Sequence, residues 1–92
     1  MKFTANEFIV FAKKVQSNKW HTLTQKRMYR YSVEDRGLRV ILSTGKERLV
    51  SNWEIVRFCE IYNQSNSIRT RDYSDLFNKS YLLPIAKSFD MK

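Results

Sequence analysis

Apolar residues recur at every second position over residues 29–33 and 38–42, with a short third run at 48–50, and this pattern constrains the fold more than any other feature of the chain. The alternation is interrupted twice, at residues 35–37 and 44–46, by turn-forming residues. A period of two is typical of strands with one buried face, so it predicts a meander of three antiparallel strands. A chain of 92 residues has room for one core, and we expect a single domain over residues 1–92.

A helix is predicted on each side of this meander, over about residues 5–17 and 51–64. Each begins with a capping box, in which a serine or threonine caps the helix and a glutamate three residues later reaches back to the cap residue's amide. Apolar residues at helical spacing follow both boxes. The two boxes are Thr4 with Glu7 and Ser51 with Glu54.

The last part of the chain, residues 66–90, predicts two further helices. A short helix over residues 70–77 would end in the apolar Phe77, and a second would run over residues 80–89. Pro84 favours this division, because proline is tolerated near a helix start but would kink one continuous helix. The predicted class is therefore α+β, with an N-terminal helix, a three-stranded antiparallel meander and a C-terminal helix-turn-helix-like unit.

The chain is strongly basic, with 17 Lys and Arg against 9 Asp and Glu and a formal net charge of +8. This excess predicts attraction to polyanions. Cys59 is the only cysteine, which excludes an internal disulfide, and its apolar neighbours at helical spacing predict a packing role. No apolar run approaches the roughly 20 residues of a membrane span or resembles a signal peptide, so we expect a cytoplasmic protein with no membrane partner.

The opening of the last helix is the first candidate for a nucleic-acid-binding surface. A helix N-terminus presents unpaired backbone amides and the positive end of the helix dipole, and both favour phosphate. Basic residues at this point and in the preceding turn would add phosphate contacts. The candidate residues are Lys79, Ser80, Tyr81, Arg69 and Arg71.

Residues 68–90 resemble the helix-turn-helix of a winged-helix domain, and in particular the C-terminal winged helices of the selenocysteine-specific elongation factor. In that family a basic pair and a tyrosine open the recognition helix, a proline follows three residues later, and an aspartate closes the helix. The matching residues are Lys79, Tyr81, Pro84 and Asp90. Ser80 stands where the family has its second basic residue. The resemblance implies a nucleic-acid-binding scaffold.

The predicted meander is the second candidate surface. Arg30 and Arg39 alternate with apolar residues, so they are expected on the face that points away from the core. A basic ribbon of this kind can lie along phosphates. Two aromatic residues of the same stretch, Tyr29 and Tyr31, are expected to pack inward rather than stack on bases. The candidate residues are Arg30, Arg36, Arg39, Lys46 and Arg48.

These features predict a small basic protein that binds nucleic acid, with DNA favoured over RNA and no catalytic residue, metal site or cofactor. Two alternatives stay open. A small basic ribonuclease or toxin could use His21, the only histidine, as a general acid or base. An interaction protein could instead bind an acidic protein partner with the same positive charge. The sequence leaves the oligomeric state open, a homodimer included.

Overall fold

The computed structural model of the chain describes residues 2–23 and 25–91. The elements are α1 (Ala5–Lys14), β1 (Trp20–His21), β2 (Met28–Glu34), β3 (Gly37–Leu42), β4 (Glu47–Ser51), α2 (Asn52–Ser65), a 3₁₀ helix (Thr70–Tyr73) and α3 (Lys79–Asp90). This arrangement confirms the α+β class. Among the described residues, no helix is both long and apolar enough to cross a membrane.

The sheet is an antiparallel meander with the strand order β1-β2-β3-β4. The prediction of three strands was wrong by one, because it did not include β1. This strand has two residues, with Trp20 opposite Tyr29 and His21 opposite Met28. Two residues are too few to show a period of two, so the sequence contains no alternation that would reveal the strand.

Two tyrosine hydroxyls on the buried face of the sheet form hydrogen bonds with α1 and α3. Tyr29 donates to the carbonyl oxygen of Tyr81 in α3 at 2.8 Å, and Tyr31 donates to that of Ala12 in α1 at 2.7 Å. Burial raises the pKa of both phenols, so both remain protonated donors. The prediction that these two tyrosines pack inward is confirmed.

The two predicted capping boxes have different outcomes. In α1 the box is complete, because Thr4 Oγ1 accepts from the Glu7 amide at 3.1 Å and the Glu7 carboxylate accepts from the Thr4 amide at 2.9 Å. This helix ends at Lys14, earlier than predicted. In α2 only half of the box forms: Ser51 Oγ accepts from the Glu54 amide at 3.3 Å, but the Glu54 carboxylate does not reach back.

The carboxylate of Glu54 instead fixes the start of α3. Glu54 is only 6% exposed. Its Oε2 accepts from the backbone amide of Asn78 at 2.6 Å, and its Oε1 accepts from Asn78 Nδ2 at 3.0 Å. A buried carboxylate needs hydrogen-bond donors, and Asn78 supplies two where the capping box would supply one. The contact therefore joins α2 to the residue that precedes α3.

The helix predicted over residues 70–77 is wrong in type and length, because the chain forms only a 3₁₀ helix there, Thr70–Tyr73. The next turn is equally tight, since the amide of Leu76 donates to the carbonyl oxygen of Tyr73 at 2.9 Å. Such turns place residues three apart on the same side of the chain, and the side chains of Tyr73 and Leu76 are both buried. Phe77, expected at the apolar end of a helix, lies on the surface instead.

Cys59 lies in α2 and is buried, which confirms its packing role. Burial raises the pKa of its thiol to about 12. The thiol therefore stays protonated at neutral pH and contributes to the core as a small apolar group.

Candidate nucleic-acid interface

Two adjoining hollows lie where the described residues of the β1–β2 loop, 22–23 and 25–27, face the 3₁₀ helix and α3. Their volumes are about 220 and 740 Å³. Leu23 and Thr70 line both, so the two form one concave surface. Five cations line this surface, which we call the basic hollow. They are Lys26, Arg27, Arg69, Arg71 and Lys87.

Hydrogen bonds to Thr22 hold the β1–β2 loop in place. The Arg27 amide donates to Thr22 Oγ1 at 3.0 Å, and the Lys26 amide donates to the Thr22 carbonyl oxygen at 3.1 Å. The Thr22 amide donates in turn to the Arg27 carbonyl oxygen at 2.9 Å, and Thr22 itself is buried. Lys26 adopts a left-handed backbone with φ of 58°. Residues other than glycine take this conformation only at an energetic cost.

Ser67 fixes the turn from which Arg69 and Arg71 project. Its Oγ accepts from the Arg69 amide at 3.1 Å and donates to the Asp72 carboxylate. Its carbonyl oxygen accepts from the Tyr73 hydroxyl at 2.7 Å. Burial is the main cause that raises the pKa of Tyr73 to about 12, so the phenol remains a donor. The two exposed arginines therefore stand on a locally ordered support.

One face of α3 forms a wall of the basic hollow. Ser80, Leu83 and Lys87 all line it, and their spacing of three and four residues places them on one side of a helix. Tyr81 borders the same surface. Its ring packs against that of Tyr29 in an edge-on arrangement with a centroid distance of 5.1 Å.

The residues that line the basic hollow carry a net positive charge, while the Asp72 carboxylate lies in the same turn as Arg71 and bonds to Ser67. None of its described lining residues is acidic. Within residues 2–23 and 25–91, the ion pairs involve other side chains, such as Arg57 with Asp75 at 3.4 Å. Cations grouped in a concave surface raise the local concentration of anions and speed their association.

Most of the residues predicted at the opening of the last helix are brought together here. Arg69, Arg71, Ser80 and Tyr81 line the basic hollow. Lys79 does not line it, because its ammonium turns back and donates to the carbonyl oxygen of Leu76 at 3.1 Å.

The backbone amides at this helix start are partly paired, since that of Tyr81 donates to the carbonyl oxygen of Asn78 at 3.0 Å. The amide of Asn78 is occupied by the Glu54 carboxylate. That negative charge also lies at the positive end of the helix dipole and offsets it. Attraction for anions in this region therefore comes from the side-chain cations of the basic hollow more than from the end of the helix.

The predicted basic face of the meander does not form. Arg30 and Arg39 lie on the outer face, but Glu34 and Glu47 lie on the same face by the strand register. Arg39 pairs with each of these glutamates at 2.7 Å. The hydrogen bond from Arg39 also holds the pKa of Glu34 below its ordinary value. Acidic and basic side chains therefore balance on this face.

The other three residues predicted on the meander are scattered. Arg36 lies in the β2–β3 turn, about 20 Å along β2 from the basic hollow. Lys46 lies in the β3–β4 turn. Arg48 is opposite Val40 in the register, which places it on the other side of the sheet from Arg39. None of the three is among the described residues that line the basic hollow.

Three cations of the basic hollow were not predicted as site residues. Lys26 and Arg27 belong to the basic stretch of the predicted hairpin, but the sequence could not place them beside α3, because the position of their loop depends on β1, which has no periodic signal. Lys87 could have been found: it follows Ser80 by seven residues, two helical turns, and so shares its helix face.

His21, on which the ribonuclease alternative depends, is exposed on the outer side of β1. In the described part of the chain, no carboxylate forms an ion pair with it. The same residues contain no group of three or more His, Cys, Asp or Glu that could hold a metal ion. The geometry therefore gives this alternative no specific support.

Comparison with known proteins shows no relative, since no family model, no curated protein and no solved structure matches the chain. The winged-helix resemblance stays a prediction.

Proposed function

We propose that the protein binds nucleic acid through the basic hollow. The observation that carries this proposal is the convergence of five cations, from three separate segments, on one concave surface with no acidic residue among its described lining. Lysine and arginine supply most of the affinity in nucleic-acid complexes by neutralising phosphates. The net charge of +8 adds a long-range attraction to the same partners.

The dimensions of the basic hollow favour a chain of phosphates over one small anion. Ser80 and Lys87 are seven residues apart on α3, a distance of roughly 10 Å. A stacked strand covers this distance in about three nucleotides. Cations of the β1–β2 loop and of the 3₁₀ helix border the same surface, so neighbouring phosphates can be contacted together.

The affinity for nucleic acid is expected to fall steeply with salt, because bound cations release counterions from the phosphates. If each of the five cations contacts one phosphate, the log-log slope should be about −4.5 for duplex DNA and about −3.5 for a single strand. Fluorescence anisotropy with labelled DNA and RNA, titrated at several sodium chloride concentrations, measures this slope.

Polyglutamate of equal charge is the matched competitor for that titration. We expect it to displace the oligonucleotide only weakly, because the carboxylates of a flexible polypeptide lack the regular spacing of phosphates along a nucleic-acid strand. A slope near zero would contradict the electrostatic proposal. Equal competition by polyglutamate would favour the alternative of an acidic protein partner.

Lys26→Gly is expected to stabilise the fold while it weakens binding. Glycine adopts positive φ without steric cost, so the free energy of unfolding should rise by about 0.5–1 kcal/mol. Loss of one cation from the basic hollow should lower the affinity by roughly 5- to 10-fold. Urea unfolding followed by circular dichroism gives the first quantity, and anisotropy gives the second.

Lys26→Gln is the control, since it removes the charge and keeps the strained backbone. It should weaken binding as Lys26→Gly does but leave the free energy of unfolding unchanged or slightly lower. If both variants bind as tightly as the wild type, Lys26 is not part of the interface.

A further inference from the structure

Phe77 is the most exposed of the large hydrophobic residues in the described chain, at 92%. The residues on both sides of it are buried, with Leu76 at 2% and Asn78 at 6%. The chain therefore enters the core, brings one aromatic ring to the surface, and returns to the core. A single exposed hydrophobic residue is common on protein surfaces and does not by itself indicate a binding site. The hydrogen bonds that hold the Phe77 turn and its distance from the basic hollow are therefore the relevant observations.

The turn that carries Phe77 is rigidly held on its C-terminal side. Asn78 is fixed by two hydrogen bonds to the buried Glu54 carboxylate, at 2.6 and 3.0 Å. Lys79 Nζ closes the turn by donating to the carbonyl oxygen of Leu76 at 3.1 Å. An aromatic ring on a fixed backbone loses little conformational entropy when a ligand packs against it.

Phe77 also lies close to the basic hollow. It precedes Ser80, which lines that surface, by three residues. Three residues span at most about 11 Å even in a fully extended chain. The backbone of Phe77 therefore lies within about 11 Å of a residue that lines the basic hollow, a distance that a stacked strand covers in about three nucleotides.

We infer that the nucleic acid bound by the basic hollow is single-stranded and that Phe77 stacks on one of its unpaired bases. This inference rests on the proposed function. A basic surface beside an exposed aromatic ring is the combination by which proteins bind single strands, whereas bases in a duplex present no free face for stacking. Tyr29 and Tyr31 cannot take this role, because both are buried with their hydroxyls bonded inside the protein.

The test compares a single strand of about ten nucleotides with the duplex of the same sequence, each as DNA and as RNA, at one salt concentration. The wild type should bind the single strand more tightly. Phe77→Ala should weaken single-strand binding roughly 5- to 100-fold and leave duplex binding unchanged. Phe77→Tyr should keep the affinity, since a phenol ring also stacks, and Phe77→Leu should lose most of it.

Leu49→Ala is the control for loss of an exposed apolar side chain, because Leu49 is 53% exposed on the outer side of the sheet. It should change neither affinity. If single strand and duplex both bind and Phe77→Ala affects them equally or not at all, the stacking role is wrong while the proposed function stands. If neither binds, the proposed function fails and this inference fails with it.

Discussion

Replacing Arg69 and Arg71 together with glutamate is expected to reduce the affinity for nucleic acid by roughly two to three orders of magnitude. Each arginine contact contributes about 1–2 kcal/mol, and each tenfold change in affinity corresponds to 1.4 kcal/mol. The reversed charges would in addition repel phosphates from the remaining three cations, Lys26, Arg27 and Lys87. Both arginines are exposed, so the fold should be preserved.

The control is Arg36→Glu with Arg48→Glu, which changes the net charge by the same amount outside the basic hollow. This pair should weaken binding only a few-fold, through the long-range field. Anisotropy titrations at one salt concentration, with circular dichroism of both variants, make the comparison. Equal losses in the two pairs would show that total charge, and not the basic hollow, determines binding.

Glu54→Ala is expected to destabilise the protein by about 3 kcal/mol or more. The substitution leaves the backbone amide and the Nδ2 group of Asn78 without their acceptor in a buried position, and each unsatisfied buried donor costs about 1–3 kcal/mol. A small domain has a total stability of only about 5–15 kcal/mol, so a substantial unfolded fraction is expected on mild warming. Urea unfolding measures the change.

Two further variants distinguish loss of the Glu54–Asn78 contact from the effect of removing any glutamate from α2. Glu60→Ala removes an exposed glutamate from the same helix and should change stability by less than about 0.5 kcal/mol. In a double-mutant cycle, Glu54→Ala with Asn78→Ala should cost less than the sum of the single changes by about 1–3 kcal/mol. A coupling energy near zero would mean that the contact does not stabilise the start of α3.

The parts of the fold that could be predicted are those with a local and repeated signal. Strands β2 and β3 alternate in polarity over several residues, and α1 begins with a capping box whose two bonds both form. In such elements each residue's preference agrees with the final structure. The inward side of Tyr29 and Tyr31 follows from the period of two in β2, and the packing role of Cys59 follows from the helical spacing of its apolar neighbours.

The missed features depend on contacts between residues far apart in the chain. Glu54 has the spacing of a capping box, yet it bonds to Asn78, which is 24 residues away. The sequence predicts Phe77 at the apolar end of an amphipathic helix. In the structure a 3₁₀ helix precedes it, both of its neighbours are buried, and its ring is exposed. The basic hollow likewise combines a loop, a turn and a helix that no sequence spacing connects. The position of Arg69 and Arg71 before the last predicted helix was enough to propose them as phosphate contacts. It could not identify the other cations that lie beside them in the fold.

The shortness of strand β1 makes the edge of the basic hollow less stable than the rest of the sheet. The β1–β2 pairing contains two residue pairs, whereas β2–β3 contains six, so the free energy of local unfolding should be much lower at this end of the sheet. The hydrogen bonds of the Lys26 and Arg27 amides to Thr22 can therefore open without disrupting the central strands. A ligand that contacts both the β1–β2 loop and α3 would selectively slow the hydrogen exchange of the Lys26 and Arg27 amides. Binding would therefore be detected as increased protection in the β1–β2 hairpin.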